Sequence, residues 1–123
     1  MRMRFRGECV LETTIELEKT ASILKLLGDK TRLTMVKMLD SNDCCVCEFV
    51  AIFNTSQPAI SQHLRKLKDA NIVKESRRGQ WIIYSLNKDS DYYPVIQSLL
   101  QHLPNQDYRI KELEDQGLRI TCE

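Results

Sequence analysis

Thr55-Ser-Gln-Pro-Ala-Ile-Ser-Gln-His-Leu-Arg-Lys-Leu-Lys-Asp-Ala-Asn71 reads as one helix with a well-marked start. Thr55 or Ser56 can cap the first N–H groups. Pro58 stands where an N–H would lack a partner anyway. Ile60, Leu64 and Leu67, spaced by four and three, make one buried stripe. The other face carries Ser56, Gln57, Ser61, Gln62, Arg65, Lys66 and Lys68. Hydroxyl and amide side chains come first and cations follow. That order suits a helix whose first turns read base edges while its later charges meet phosphates. An ordinary amphipathic surface helix is the plain alternative.

Working outward, the preceding residues predict a short helix from about Val46 to Phe53, with Asn54-Thr55 as the connection. Two short helices joined so tightly make a helix-turn-helix. After it, Ile72–Ser76 and Trp81–Leu86 are rich in β-branched and aromatic residues. Arg77-Arg-Gly-Gln80 lies between, and Gly79 permits a tight turn. The expectation is a β-hairpin with Arg77 and Arg78 at a cationic tip, against a phosphate backbone or in a minor groove.

Upstream, a helix is expected from Thr13 or Thr14 to Leu27, with Leu17, Ala21, Leu24 and Leu27 as its stripe, Ile23 and Leu26 widening the apolar face, and Gly28 as its stop. A second spans about Lys30–Leu39, and Ser41–Asp43 is a turn. Downstream, a helix is expected over about Tyr92–Leu103, ended by Pro104. Asp107–Gln116 offers a further helical piece. The chain divides into an arm (1–12), a winged helix-turn-helix domain (13–103) and a polar tail (104–123). The fold class is mainly α with a β-hairpin. The first and last helices carry more apolar surface than so small a core needs, so a homodimer through them is expected, reading two half-sites of operator DNA.

The 123 residues fit one domain with a modest core. No apolar run is long enough for a membrane span, and none follows the basic start as a signal peptide would require. A cytoplasmic protein is expected, with no membrane partner. Net charge is only +1, so general polyanion binding is not implied. Residues 61–80, however, hold Arg65, Lys66, Lys68, Lys74, Arg77 and Arg78 against Asp69 and Glu75, which makes one face basic.

The five cysteines are Cys9, Cys44, Cys45, Cys47 and Cys122. An odd number with three clustered does not resemble a disulfide framework. It points to a soft-ion site or a reactive thiol. Residues two apart face different sides of a regular helix. Cys45 and Cys47 could therefore share an ion only if the backbone at Cys45 is still irregular. A helix start there would also favour thiolate. Thiolates select soft or borderline ions, and that rule extends to trivalent arsenic and antimony. Cys44 is either a third sulfur or a small buried hydrophobe; Cys9 and Cys122 could each add one. His63 suits a base, phosphate or packing contact better than a metal. No organic cofactor is expected.

Four stretches together resemble the ArsR/SmtB family of metal-responsive bacterial repressors, over about Ile23–Asn87. They are Leu27-Gly-Asp-Lys-Thr-Arg-Leu33, Cys45-Val-Cys47-Glu48, Ser56-Gln-Pro-Ala-Ile-Ser-Gln-His-Leu64 and Leu67-Lys-Asp-Ala-Asn-Ile-Val73. The resemblance implies a homodimer that represses a resistance operon and leaves its DNA when a toxic ion binds. Cys45-Val-Cys47 is similar to the motif of arsenic/antimony and cadmium/lead sensors. One kind of arsenic sensor has a third cysteine where this chain has Val50. Cadmium/lead sensors draw cysteines from the arm, a part open to Cys9. The histidine and carboxylate pattern of zinc, nickel and cobalt sensors is missing. Arsenite or antimonite is the expected inducer, with cadmium or lead as the alternative. A redox-sensing repressor is the other alternative. An enzyme is not expected, since no acid or base accompanies the cysteines.

Overall fold

The computed structural model describes residues 15–119. The whole arm (1–12) with Cys9, the expected helix start at Thr13 or Thr14, and the last residues, 120–123, with Cys122, lie outside them. Helices α1 (Leu17–Leu27) and α2 (Lys30–Ser41) lead to a two-residue strand, β1 (Cys44–Cys45). Then follow α3 (Val46–Phe53) and α4 (Gln57–Asp69), the hairpin β2 (Val73–Arg78) and β3 (Trp81–Leu86), and α5 (Tyr93–Leu100) and α6 (Asp107–Asp115). This is a winged helix-turn-helix.

Local chemistry sets the boundaries. The Asp29 carboxylate accepts the Arg32 N–H at 3.0 Å and caps α2. Ser56 Oγ does the same for α4, taking the Ala59 N–H at 3.3 Å. Between α3 and α4, Asn54 adopts the left-handed conformation at φ 51°, which asparagine tolerates better than most residues. Gly79, at φ 63°, turns the hairpin.

One core joins the elements. Ile60, Leu64 and Leu67 of α4 are fully buried beside Phe49, Met35, Val36, Ile23, Leu27, Ile96 and Leu100. The stripe expected on α1 is rotated. Ile23 and Leu27 enter the core, while Leu17 stays 83% and Leu24 49% exposed. The supposed tail is not all tail: Ile110 and Leu113 of α6 belong to the same core, and Arg109 lies over the Phe53 ring at 5.6 Å.

The sheet holds two corrections. Its order is β1-β3-β2, all antiparallel. Cys44 and Cys45 pair with Tyr84 and Ile83, so the segment after Asn42-Asp43, which follow the last helical residue Ser41, is a third strand at the wing's edge. Arg77 and Arg78 are strand residues facing Ile82 and Trp81, not loop residues. Only Gly79 and Gln80 form the turn.

Candidate metal centre and nucleic-acid interface

Cys45 is the last extended residue before α3, at φ −102° and ψ 170°. Cys47 is the second residue of the helix. The break in regular backbone between them lets both side chains converge, and their sulfurs stand 2.7 Å apart. That is nearer than two unbonded sulfurs ordinarily approach. Cys45 is buried and Cys47 exposed, so the pair has one face open to a ligand.

Cys44 does not join them. Successive strand residues point to opposite faces, and Cys44 faces the core, fully buried, with its thiol towards the Asn42 carbonyl at 3.7 Å. It is the small buried hydrophobe of the two readings. Among the described residues, no three His, Cys, Asp or Glu side chains converge as a metal site. The described donor set is thus two sulfurs. A three-coordinate pyramidal ion would need a third donor from elsewhere.

For Cys45 the expectation that the helix start would favour thiolate is overturned. Burial, then the contact with Cys47, pushes the Cys45 thiol up to about 12. Burial, with the Glu48 charge nearby, does the same for Cys44. In this surrounding desolvation outweighs the N–H groups of the helix.

Glu48 organises the joint. It is only 1% exposed. Its Oε1 accepts the Cys45 N–H at 2.9 Å, the carboxylate half of a capping box. Its Oε2 accepts from Arg119 Nη1 at 2.6 Å. The same Arg119 nitrogen donates to the Asp43 carbonyl at 3.1 Å. Asp43 in turn takes Arg78 of the wing at 3.2 Å. Sequence reasoning assigned no part to Glu48, Asp43 or Arg119. The glutamate three residues after an N-cap position was the one readable signal.

A cavity of about 410 Å³ opens beside the two thiols. Val46 and Val50 of α3, Trp81 and Ile82 of β3 and Gln57 of α4 line it with the two cysteines. The thiols, the wing and the first turn of α4 therefore share one space.

On α4, Ser56, Gln57, Ser61, Gln62, Arg65 and Lys66 are all exposed. Arg77 and Arg78 are exposed on β2. His63 differs: it is half-buried, and Arg32 of α2 stands 3.1 Å from its Nδ1. A guanidinium only donates, so Nδ1 accepts and the neutral ring carries its proton on Nε2. Burial holds its pKa below the usual value. His63 is a strut between α2 and α4. No helix among the described residues is long and apolar enough to cross a membrane.

Comparison with known proteins follows this geometry. The profile of "Bacterial regulatory protein, arsR family" matches residues 29–75, from the α2 cap into the wing. An uncharacterized HTH-type transcriptional regulator of Methanocaldococcus jannaschii is 44% identical over 58% of this chain and 82% of its own length. The arsenic resistance transcriptional regulator ArsR2 of Pseudomonas putida is 33% identical, over 81% of this chain and 95% of that protein. Among solved structures, reduced HlyU from Vibrio cholerae superposes with a TM-score of 0.60 at 28% identity, covering 68% of this chain and 87% of that one.

Proposed function

The chain belongs to the arsR family of bacterial regulatory proteins, DNA-binding transcriptional regulators rather than enzymes, and we propose that it represses a resistance operon and is released from operator DNA by arsenite or antimonite bonded to Cys45 and Cys47. The observation that carries the reading is the 2.7 Å approach of those two sulfurs at the foot of the helix packed on α4. The likeness to an arsenic resistance regulator over most of both chains supports it. Cys9 or Cys122 supplies the third sulfur for inorganic arsenite. Four sulfurs, as cadmium prefers, would take both ends of the chain.

The protein works as a homodimer. Leu17 and Leu24 of α1 and Val95 of α5 leave apolar surface uncovered, which a second copy fits. Each α4 then lies in a major groove. Gln57, Ser61 and Gln62 read bases; Ser56, Arg65, Lys66, Arg77 and Arg78 hold phosphates, and His63 braces the helix from behind.

Ligand and DNA compete through the joint. An arsenic atom on the two sulfurs fixes the turn from Cys45 into α3. That turn is tied to α4 by packing and to the wing by the β1–β3 ladder. A coupling of about 1–3 kcal/mol lowers DNA affinity roughly 5- to 150-fold. The test is fluorescence anisotropy of a selected operator duplex, titrated with arsenite, antimonite, cadmium, lead and zinc. Release by arsenite or antimonite at the lowest concentration supports the reading. Release by cadmium or lead alone, or by none, rejects it.

A further inference from the structure

We infer that Asp43 is a positioning residue for DNA binding: its carboxylate competes with a DNA phosphate for Arg78 of the wing. This rests on the reading above that Arg78 meets the phosphate backbone, and it is independent of which ion is sensed.

The contact joins the two outer strands of the sheet. Asp43 directly precedes β1, Arg78 ends β2, and β3 lies between them. Arg78 Nη2 donates to Asp43 Oδ2 at 3.2 Å, with the two side chains 47% and 43% exposed. A carboxylate and a phosphate offer a guanidinium the same partner, anionic oxygen. Asp43 therefore stands in for the phosphate when no DNA is bound.

Asp43 is anchored. Its carbonyl accepts from Arg119 Nη1 at 3.1 Å, and the same nitrogen donates to the buried Glu48. The carboxylate thus projects on a short side chain from a backbone that is already held, so little freedom is lost in pairing. The contact uses one nitrogen and one oxygen. A phosphate can take the same guanidinium through two parallel N–H bonds, so DNA displaces Asp43 rather than being shut out by it.

An ion pair this exposed is weak. Breaking it lowers DNA affinity by up to about fivefold per subunit, and in a two-fold dimer the two factors multiply. Phosphates carry no sequence information, so the loss falls on operator and random DNA alike. The result is a higher threshold for holding any duplex.

The test is fluorescence anisotropy of the reduced full-length protein with no ion added, on a selected operator duplex and a scrambled one, over a salt series. Asp43→Asn should tighten both duplexes by the same factor, about two- to twentyfold for the dimer. It should also steepen the salt dependence, since no freed carboxylate then takes up a cation. Asp43→Ser should reproduce the gain. Arg78→Ala should weaken binding more in the Asp43→Asn protein than in the native one. No tightening by either Asp43 variant overturns the inference. So does a gain that persists in full beside Arg78→Ala, which would mean general repulsion between Asp43 and DNA. Where Arg78→Ala weakens binding equally in both backgrounds, Arg78 keeps its place on the DNA and only the competition is refuted. Where it changes neither affinity nor salt dependence in either background, the placing of Arg78 on phosphate fails, and the inference with it.

Discussion

Arg119 Nη1 lies 2.6 Å from Glu48 Oε2, so the segment after the last helix is pinned to the first turn of α3, 71 residues earlier in the chain. The other oxygen of the same carboxylate holds the Cys45 backbone. The pair thus fixes the cysteine segment through its backbone. Removing the cation leaves a buried carboxylate with fewer partners. Arg119→Ala should lower stability by about 1.5–3 kcal/mol, towards the lower value because its side chain is 21% exposed. Urea denaturation measures this, and an unchanged midpoint would show that the contact contributes nothing.

The thiols divide by role. Replacing Cys45 and Cys47 together by serine should leave operator affinity within about twofold and abolish the response to arsenite; anisotropy reads both. A double variant that still releases DNA with arsenite would place the site elsewhere. Cys44→Ala should keep the response and cost about 1 kcal/mol, the loss of one buried heavy atom.

Ions can be told apart by pH. The Cys45 thiol, pushed up to about 12, is protonated at neutral pH. Cadmium must expel that proton, so its affinity should climb about tenfold per pH unit from this sulfur alone. Arsenite takes up the proton as water, and its affinity should stay flat. Competition titrations at about pH 6 and pH 8 would separate the two. A steep fall for arsenite between those values would mean that Cys45 is already ionised before it bonds, because the departing hydroxide would then have to draw a proton from solution.

Contacts with DNA should sort by position along α4. Gln62→Ala should alter base preference at one position of each half-site. Arg65→Ala, Lys66→Ala and Arg77→Ala should weaken all sequences alike and reduce the salt slope by about 0.9 per phosphate lost. Arg78→Ala should do less, since Arg78 is shared with Asp43 at 3.2 Å. A panel of mutated operators over a salt series tests this. Uniform weakening by Gln62→Ala would remove it from the reading set.

His63 should show itself in acid. Its pKa is lowered by burial, so the unfolded chain binds its proton more readily than the native one. Stability should therefore fall as pH drops from about 6.5 through the folded value, and His63→Gln should soften that fall. Thermal melts over pH 5–7 are the check; identical profiles for the two proteins would refute it.

The reading helix and hairpin were legible because their signals are local. Ser56 caps, Pro58 follows, Ile60, Leu64 and Leu67 repeat, and Gly79 turns. The Cys45–Cys47 geometry was legible as a condition, an irregular backbone at Cys45. Other features are set by partners distant in sequence. A two-residue strand has no period to detect, so β1 emerged only through its pairing with β3, and with it the separation of Cys44 from Cys45. On α1, Leu17, Ala21 and Leu24 keep helical spacing as well as Ile23 and Leu27 do, and only packing decides which set turns inward. The Cys45 thiol was misjudged for the same reason: helix position is written in the sequence, whereas burial is not. Arg119 gave no signal at all.

The cysteine strand forms an outer edge of the wing's own sheet, and under the proposed function this separates what is detected from how the message travels. Exchanging side chains on the first turn of α3 or along the Trp81–Ile82 wall would retune the chemical that is noticed, while the hydrogen-bonded ladder carrying the news to the DNA grip stays as it is. A lineage could therefore adapt to a new toxicant through a few point changes, with its operator untouched.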